Sequence, residues 1–228
     1  MPEDAVIQRK LALILEYQGT SYQGFQVQPK APTIQGELEG ALEEWLGQYI
    51  KTQGAGRTDA GAHAKGQVVV FSTSASYPEK TFVQALNVRL SEDIRVLAAY
   101  EVNQNFDARR HATSREYHYR ILNRTRPSAL WRDFAYRVAQ PLDTIAMNSA
   151  AEVLVGAFPR TPFRELANGG HRYHQRMLRA GVQRQGEIVS ILLEANYFLP
   201  HQVRKIAGAL VHVGKKSCTV EEFKDFVL

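Results

Sequence analysis

The sequence predicts an α+β protein built from two ferredoxin-like β-α-β-β-α-β halves with antiparallel sheets, residues 1–104 and 105–228. Two observations predict this fold class. Apolar, β-branched runs typical of strands alternate with stretches whose apolar residues recur at helical spacing. The same order of elements occurs twice along the chain.

The first half begins with an apolar run at residues 11–17 that is typical of a buried strand. Thr33 then caps a predicted helix with a continuous apolar face. Residues 49–53 are predicted as a short strand and residues 67–71 as a second strand, and a glycine-rich loop separates them. Pro78 is expected to open a second helix, and residues 94–102 return as the last strand.

The second half is predicted to repeat this order. Residues 115–122 alternate like a strand with Tyr117 on one face, and Asp143 caps a helix that runs to about residue 155. Residues 176–184 and 187–198 form a predicted hairpin that turns at residues 185–186. Pro200 is expected to start a helix that Gly214 ends, and Thr219 with Glu222 forms a capping box. The strand that would close this half is expected to be missing.

Composition excludes several classes of protein. The longest apolar runs, such as residues 11–15, are too short to span a bilayer, and residues 1–10 lack the apolar core of a secretory signal. The single cysteine, Cys218, cannot form an internal disulfide, which favours the reducing cytoplasm. No nucleophile motif surrounds it, so a structural role is favoured over a catalytic one.

The charge is concentrated in the second half. Residues 1–104 hold 9 Lys and Arg against 12 Asp and Glu, whereas residues 105–228 hold 19 against 11. Fifteen of those 19 cations are arginines, which bind phosphates in a bidentate manner and stack on bases. An RNA-binding surface and an ordinary solvated basic face both fit this pattern. The candidate RNA-binding residues are Arg109, Arg110, Arg172 and Arg176.

The stretch at residues 54–63 contains three glycines and three alanines around Asp59, with Arg57 two residues before it. Small residues of this kind bury little apolar area but let another molecule approach the main chain closely. A surface turn organised by Asp59 is one interpretation. The other is a catalytic carboxylate, because an ionised aspartate can act as a nucleophile and a nearby arginine keeps it ionised.

Other chemistries fit the sequence poorly. Asp59 occupies the third glycine position of a dinucleotide-binding pattern, and neither a Walker lysine nor a serine-hydrolase elbow is present. His171 and His174 lack further metal ligands at a suitable spacing, so we expect no metal site. No second carboxylate stands out for a glycosidase pair.

Two residues of the second half are candidate partners for Asp59. Arg204 is expected near a helix N-terminus, where the dipole favours anions; a bound carboxylate or phosphate and a simply exposed arginine both explain it. Tyr117 is either a core aromatic or a platform on which a base stacks. If the two halves face each other, these residues and Asp59 line a central cleft.

Five segments of the chain resemble the tRNA pseudouridine synthase A family, and the similarity covers nearly its whole length. They are residues 16–20 with 24–26 (EYQGT, GFQ), residues 56–63 (GRTDAGAH), residues 106–109 (FDAR), residues 115–119 (REYHY) and residues 196–204 (NYFLPHQVR). The block Arg-Thr-Asp-Ala-Gly-x-His is the most specific of these. Its order relative to the other segments makes a chance similarity negligible.

The resemblance implies the pseudouridine synthase fold and an isomerase that converts uridine to pseudouridine at positions 38 to 40 of tRNA, in the anticodon stem-loop. It implies a homodimer that needs no metal or organic cofactor. Asp59 would be the nucleophile, Tyr117 would stack on the uracil, and Arg204 would pair with Asp59. Arg57 and Leu199 would contact the nucleotide. The target base must leave its stack to reach Asp59.

The chain departs from the family pattern at several positions. Val27 replaces a residue that is commonly basic, and residues 157–163 lack the usual acid. Either Arg172 or Arg176 matches the arginine that usually enters the next hairpin. A tRNA-binding protein of the same fold with little or no catalytic activity is the alternative function, and a cofactor-free hydrolase that releases free uracil is a third.

Overall fold

The computed structural model describes residues 8–157 and 175–227. The chain divides into two compact units, Met1–Ala112 and Thr113–Leu228. Within the described residues, no helix is long and apolar enough to cross a membrane.

The first unit contains a four-stranded antiparallel sheet and two helices in the order β-α-β-β-α-β, as predicted. The sheet order is β2-β3-β1-β4, so the first strand is central. The elements are β1 Arg9–Tyr17, α1 Ile34–Leu46, β2 Gln53–Gly54, β3 Ala64–Thr73, α2 Glu79–Arg89 and β4 Ile94–Val102. The topology is therefore ferredoxin-like.

The two helices cover one face of this sheet. Leu11, Leu13 and Leu15 of β1 pack with them and are fully buried. On the other face, Ala12 and Val70 form a small cluster with Ala108, which follows β4. Phe106 packs against this cluster, so the chain beyond β4 returns to the first sheet.

Helix α1 begins where its sequence predicts. The Thr33 side chain accepts a hydrogen bond from the Gly36 N–H at 3.2 Å, which caps the first turn. Ile34, Leu38 and Leu42 form its buried face. Gly47 ends the helix with a left-handed φ of 70°.

The strand predicted at residues 49–53 is wrong in extent, because only Gln53 and Gly54 pair with β3. The Thr52 N–H instead donates to the buried Glu39 carboxylate of α1 at 2.8 Å. The Thr52 and Tyr49 hydroxyls donate to the same carboxylate, at 3.0 Å each. These bonds hold residues 49–52 on the helix and away from the sheet edge.

The second unit contains a five-stranded sheet in the order β6-β5-β9-β8-β7 and three helices within the described residues. Ile191 and Leu193 of β9 are fully buried, and they pack in one core with Met147 of α3 and Leu210 of α4. The elements are β5 Arg115–Asn123, β6 Tyr136–Val138, α3 Thr144–Glu152, β7 Gly156–Ala157, β8 Arg176–Gln185, β9 Ile188–Ala195, α4 Gln202–Gly214 and α5 Val220–Val227.

The antiparallel prediction is wrong for one strand of this sheet. Tyr136–Val138 forms β6, which pairs parallel to β5 on the side where β4 pairs with β1 in the first sheet. Three residues are too few to give a strand pattern in the sequence. The rest of the predicted β-α-β-β-α order is confirmed by β5, α3, β8, β9 and α4.

Three predicted boundaries in this unit shift by a few residues. Helix α3 ends at Glu152 rather than near residue 155, and β9 ends at Ala195 rather than residue 198. The hairpin turns at residues 186–187, since Gln185 pairs with Ile188 and Gly186 has a positive φ of 59°. The Asp143 cap and the Thr219–Glu222 capping box form as predicted.

Candidate functional site

The segment that connects β2 to β3, residues 55–63, contains Asp59 and is called the Asp59 loop below. Its first residues are tied to β3: the Ala55 N–H donates to the Val68 carbonyl at 2.8 Å. The Gln67 side chain donates to the Gly56 carbonyl at 2.7 Å. The loop therefore leaves the sheet in a fixed direction.

The residues on either side of Asp59 are bonded to the segment that follows β1. The Phe25 N–H donates to the Thr58 carbonyl at 3.1 Å, and the Tyr17 and Thr58 hydroxyls lie 2.9 Å apart. On the other side, the Gly61 N–H donates to the Tyr22 carbonyl at 3.2 Å. Asp59 is thus held from both sides, which is the preorganisation that a catalytic group requires.

Glycines permit this close approach of two backbone segments. A Cβ on Gly24 would lie 2.7 Å from the Thr58 carbonyl oxygen, and its φ of +95° also suits only glycine. A Cβ on Gly19 would lie 1.9 Å from the Ala62 carbonyl oxygen. The Gly19 N–H also donates to His63 Nδ1 at 3.1 Å, so the neutral ring carries its proton on Nε2.

Asp59 lies in a tight turn, with the Ala62 N–H donating to its carbonyl at 3.1 Å. A turn is therefore present at this residue, closed by its main-chain carbonyl; a turn organised by the Asp59 side chain stays a prediction. Asp59 is half-buried, whereas Arg57, two residues earlier, is exposed.

In the second unit, Tyr117 lies on β5 and is half-buried. Its ring contacts the edge of Phe198, with centroids 5.0 Å apart and planes at 83°. Phe198 in turn packs on the core of that unit. This contact limits the rotamers of Tyr117 and so fixes its ring.

Phe198 and Leu199 belong to the segment between β9 and α4, residues 196–201, which we call the 196–201 loop. The Arg115 side chain donates to the Asn196 carbonyl at 2.6 Å. The Asn196 side chain accepts from the Arg176 N–H at 2.9 Å and from the Tyr197 N–H at 3.1 Å. The start of the loop is therefore bonded to both β5 and β8.

A buried pair of glutamines fixes the end of the same loop. The Gln175 and Gln202 amides donate to each other, at 2.7 Å and 3.0 Å. The Gln202 Oε1 also accepts from the Leu199 N–H at 2.9 Å, and the Gln175 amide donates to the Tyr197 carbonyl at 2.8 Å. The two side chains are 5% and 1% exposed, so these amides have little access to water.

We expect the substitution Gln202→Leu to lower the free energy of unfolding by about 1 to 3 kcal/mol, because the Leu199 N–H loses its acceptor and the buried Gln175 amide loses both of its hydrogen bonds to Gln202. Urea denaturation measures the effect. Gln183→Leu, at an exposed position of β8, is the matched control and should change stability by less than about 0.5 kcal/mol. Equal stabilities of the two variants would contradict the prediction.

Arg204 is the third residue of α4, which begins at Gln202 and not at Pro200. His201 precedes the helix with a left-handed φ of 58°, and Gln202 donates its N–H to the Leu199 carbonyl at 3.1 Å. Arg204 therefore lies within the first turn, where the helix dipole disfavours a cation and favours a bound anion. Its side chain is exposed.

The charge of Arg204 also affects the pKa of a second tyrosine of β5, Tyr119. Burial raises the pKa of the Tyr119 hydroxyl, the nearby Tyr136 adds to the rise, and the positive charge of Arg204 opposes it. Tyr117 and Tyr119 are two residues apart on β5, so their side chains lie on the same face of the strand. Tyr117 on β5, Leu199 in the 196–201 loop and Arg204 on α4 therefore lie on neighbouring elements of the second unit.

The candidate RNA-binding arginines occupy different positions. Arg109 and Arg110 are exposed in a turn that Asp107 organises by accepting from their N–H groups at 2.9 and 2.8 Å. The backbone N–H groups, Arg110 first, lower the pKa of the Asp107 carboxyl. Arg176 is exposed at the start of β8, and Arg172 lies outside the described residues.

No group of three or more His, Cys, Asp or Glu side chains within residues 8–157 and 175–227 could hold a metal ion. His171 and His174, which were considered as a metal pair, lie outside those ranges.

Several contacts of the site are not evident from sequence. Thr58, His63, Gly19 and Gly24 lie in segments that carry the family resemblance, but the tertiary contacts through which they act are visible only in the folded chain. Phe198 belongs to a segment used for the family resemblance, yet its contact with Tyr117 depends on pairing of β5 with β9. The Gln175–Gln202 pair gave no signal, because isolated glutamines are usually exposed.

Comparison with known proteins identifies related chains. A family model described as tRNA pseudouridine synthase matches residues 13–109 and 150–227. A protein of Myxococcus xanthus named tRNA pseudouridine synthase A is 42% identical over 207 residues, which are 90% of this chain and 78% of that relative. Proteins with the same name from Caulobacter sp. strain K31 and Moorella thermoacetica are 41% and 39% identical. Each of these two matches covers 92% of this chain, and 85% and 87% of the respective relative.

Proposed function

This chain belongs to the tRNA pseudouridine synthase family, and we propose that it converts uridine to pseudouridine in the anticodon stem-loop of tRNA, at positions 38, 39 and 40. The relatives that it matches over most of their length are named for this activity. The observation that supports the proposal best is the Asp59 loop, which holds a half-buried carboxylate between two bonded backbone segments.

The reaction needs only groups of this kind. The N1–C1′ glycosidic bond breaks, a C5–C1′ bond forms, N1 gains a proton and C5 loses one. Substrate and product have the same atoms, so the reaction requires no oxidant, reductant or cosubstrate. An aspartate nucleophile that adds to C1′ or to C6 and is then released holds the ribose or the uracil covalently while the glycosidic bond is exchanged. The other fragment must be retained by contacts in the pocket until the C5–C1′ bond forms.

Each site residue then has a proposed role. Asp59 is the nucleophile, and Arg57 binds the target nucleotide or its phosphate. Tyr117 stacks on the uracil, with Leu199 as a further contact. Arg204 pairs with Asp59 and keeps it oriented. Its position in the first turn of α4 supports this role, because an anion at that end offsets the cost of placing a cation there.

The proposal is tested by tritium release. A tRNA transcript labelled with tritium at C5 of uridine should lose the label from position 38, 39 or 40 when incubated with the protein, because C5 loses its hydrogen only if it becomes the glycosidic carbon. Digestion of the same RNA should yield pseudouridine. Binding without release would favour the non-catalytic tRNA-binding protein, and free uracil would indicate a hydrolase.

We expect Tyr117→Ala to lower kcat/KM by about fivefold to a hundredfold, since stacking of one base contributes ~1–3 kcal/mol and ~1.4 kcal/mol corresponds to a factor of ten. Tyr117→Phe keeps the ring and should stay within a few fold of wild type if stacking is the role. Tyr100→Ala, at an exposed position of β4, is the control. A Phe variant as weak as the Ala variant would assign the role to the hydroxyl instead.

The proposal extends to partners. Arg109, Arg110, Arg172 and Arg176 are proposed to contact the RNA backbone around the target. We further propose a homodimer in the cytoplasm, where a tRNA substrate is available. Light scattering of the purified protein measures the oligomeric state directly.

A further inference from the structure

A groove of about 500 Å³ lies beside the edge of the first sheet, between residues 48–53 and residues 70–74. Lys10 and Lys51 line it, and we call it the Lys10–Lys51 groove. Strand β3 extends to Thr73, yet β2 pairs only with Val69 and Val70. The outer edge of the last residues of β3 therefore borders the groove.

The groove exists because Glu39 holds one of its walls away from the sheet. This carboxylate is 4% exposed and accepts hydrogen bonds from Gln35, Tyr49 and Thr52. If the Thr52 N–H bonded to β3 instead, residues 49–52 would extend β2 and fill the space. The Glu39 charge lies behind this wall with its oxygens occupied by hydrogen bonds.

The surface of the groove suits a polyanion. Lys10 and Lys51 supply two positive charges, and no Asp or Glu is among the residues that line it. Lys51 is exposed, while the Lys10 ammonium donates one hydrogen bond to the Gln104 carbonyl at 3.2 Å and keeps two more donors. Exposed Ser72 and Ser74 and the Gln48 amide add uncharged donors.

Tyr49 adds a flat aromatic surface to these charges. Tyr49 is 62% exposed, and its hydroxyl is fixed by the 3.0 Å bond to Glu39. That carboxylate raises the pKa of Tyr49, so the hydroxyl remains a donor. Cations next to a fixed, exposed aromatic ring form the usual combination for binding single-stranded or looped RNA.

We propose that the Lys10–Lys51 groove binds the backbone of the tRNA substrate within about six nucleotides of the target uridine, with a base or ribose against Tyr49. This inference rests on the proposed function. Gln53 at the groove is six residues before Asp59, so their Cα atoms are at most about 21 Å apart. About six nucleotides span that distance at ~3.4 Å each, so an RNA held at Asp59 can reach the groove.

The test is the salt dependence of tRNA binding, measured by fluorescence anisotropy with a tRNA transcript and the full chain. The double variant Lys10→Gln/Lys51→Gln should bind more weakly, and its slope of log Kd against log salt should fall by about 1.4 to 1.8. Lys80→Gln/Lys224→Gln removes the same charge from exposed helix positions and should leave the slope unchanged. Equal slopes for the two double variants would overturn the proposal.

Tyr49 gives a second, independent measurement. Tyr49→Ala should weaken binding about fivefold to a hundredfold at every salt concentration, because stacking contributes affinity without counterion release. Tyr49→Phe keeps the ring and should bind close to wild type; weakening equal to that of the Ala variant would show that the hydroxyl bond to Glu39, and not stacking, matters. These readouts measure binding alone, so a failure of tritium release by the wild-type protein leaves them interpretable.

Discussion

Replacing Asp59 with asparagine is expected to lower the rate of tritium release at least about 10⁴-fold, while binding of tRNA persists. The substitution keeps the size and shape of the side chain but removes the ionised oxygen that attacks carbon. Loss of a nucleophile removes the covalent route altogether, which is why such variants show the largest effects on kcat. The turn that holds the residue uses the Asp59 carbonyl, which asparagine retains.

The matched control is Asp93→Asn, which removes the same charge from another half-buried position of the first unit. It should release tritium at the wild-type rate. Circular dichroism and anisotropy of the Asp59 variant establish that fold and binding survive. Release by Asp59→Asn at more than a few per cent of the wild-type rate would show that Asp59 is not the nucleophile.

The fold of each unit was predictable where a local signal determined the structure. The Thr33 cap and the Thr219–Glu222 capping box are short sequence patterns with one favourable geometry, and both form. Strand β4 has the predicted bounds, because its apolar run is flanked by a turn on one side and polar residues on the other. These features depend on residues within one turn or one strand.

The errors occurred where tertiary contacts compete with a local preference. Residues 49–52 have strand-like composition, but the carboxylate of Glu39, ten or more residues away, accepts a hydrogen bond from the Thr52 N–H. Helix α4 starts two residues later than Pro200 suggests, since the Gln202 side chain is bonded to Leu199 and to Gln175. Neither partner can be recognised from the sequence near these segments.

The same distinction applies to the site. Asp59, Tyr117 and Arg204 could be nominated because their residue types and flanking segments are unusual. Their supports could not, because Gly19, Gly24 and Thr58 act through contacts between segments that are tens of residues apart. The residues that hold the loop are therefore found only once the chain is folded.

Gly19→Ala is expected to give the largest loss of stability of any single substitution discussed here, about 3 kcal/mol or more, together with loss of activity. The added Cβ would lie 1.9 Å from the Ala62 carbonyl oxygen and 2.8 Å from its carbon. Both neighbours are backbone atoms of the Asp59 loop, so no side-chain rotation relieves the clash. Either the loop moves, which displaces Asp59, or the bond from the Gly19 N–H to His63 breaks.

Gly66→Ala is the matched control, because a Cβ there meets no atom within 4 Å and the residue lies in β3. It should keep its stability to within about 0.5 kcal/mol and release tritium normally. Urea denaturation and single-turnover tritium release separate the two effects of Gly19→Ala. The variant could instead be destabilised and yet release tritium at the wild-type rate when it is folded at low temperature. That result would show that the Asp59 loop works after the displacement caused by the added Cβ. Its close packing against Gly19 would then stabilise the fold without positioning the nucleophile.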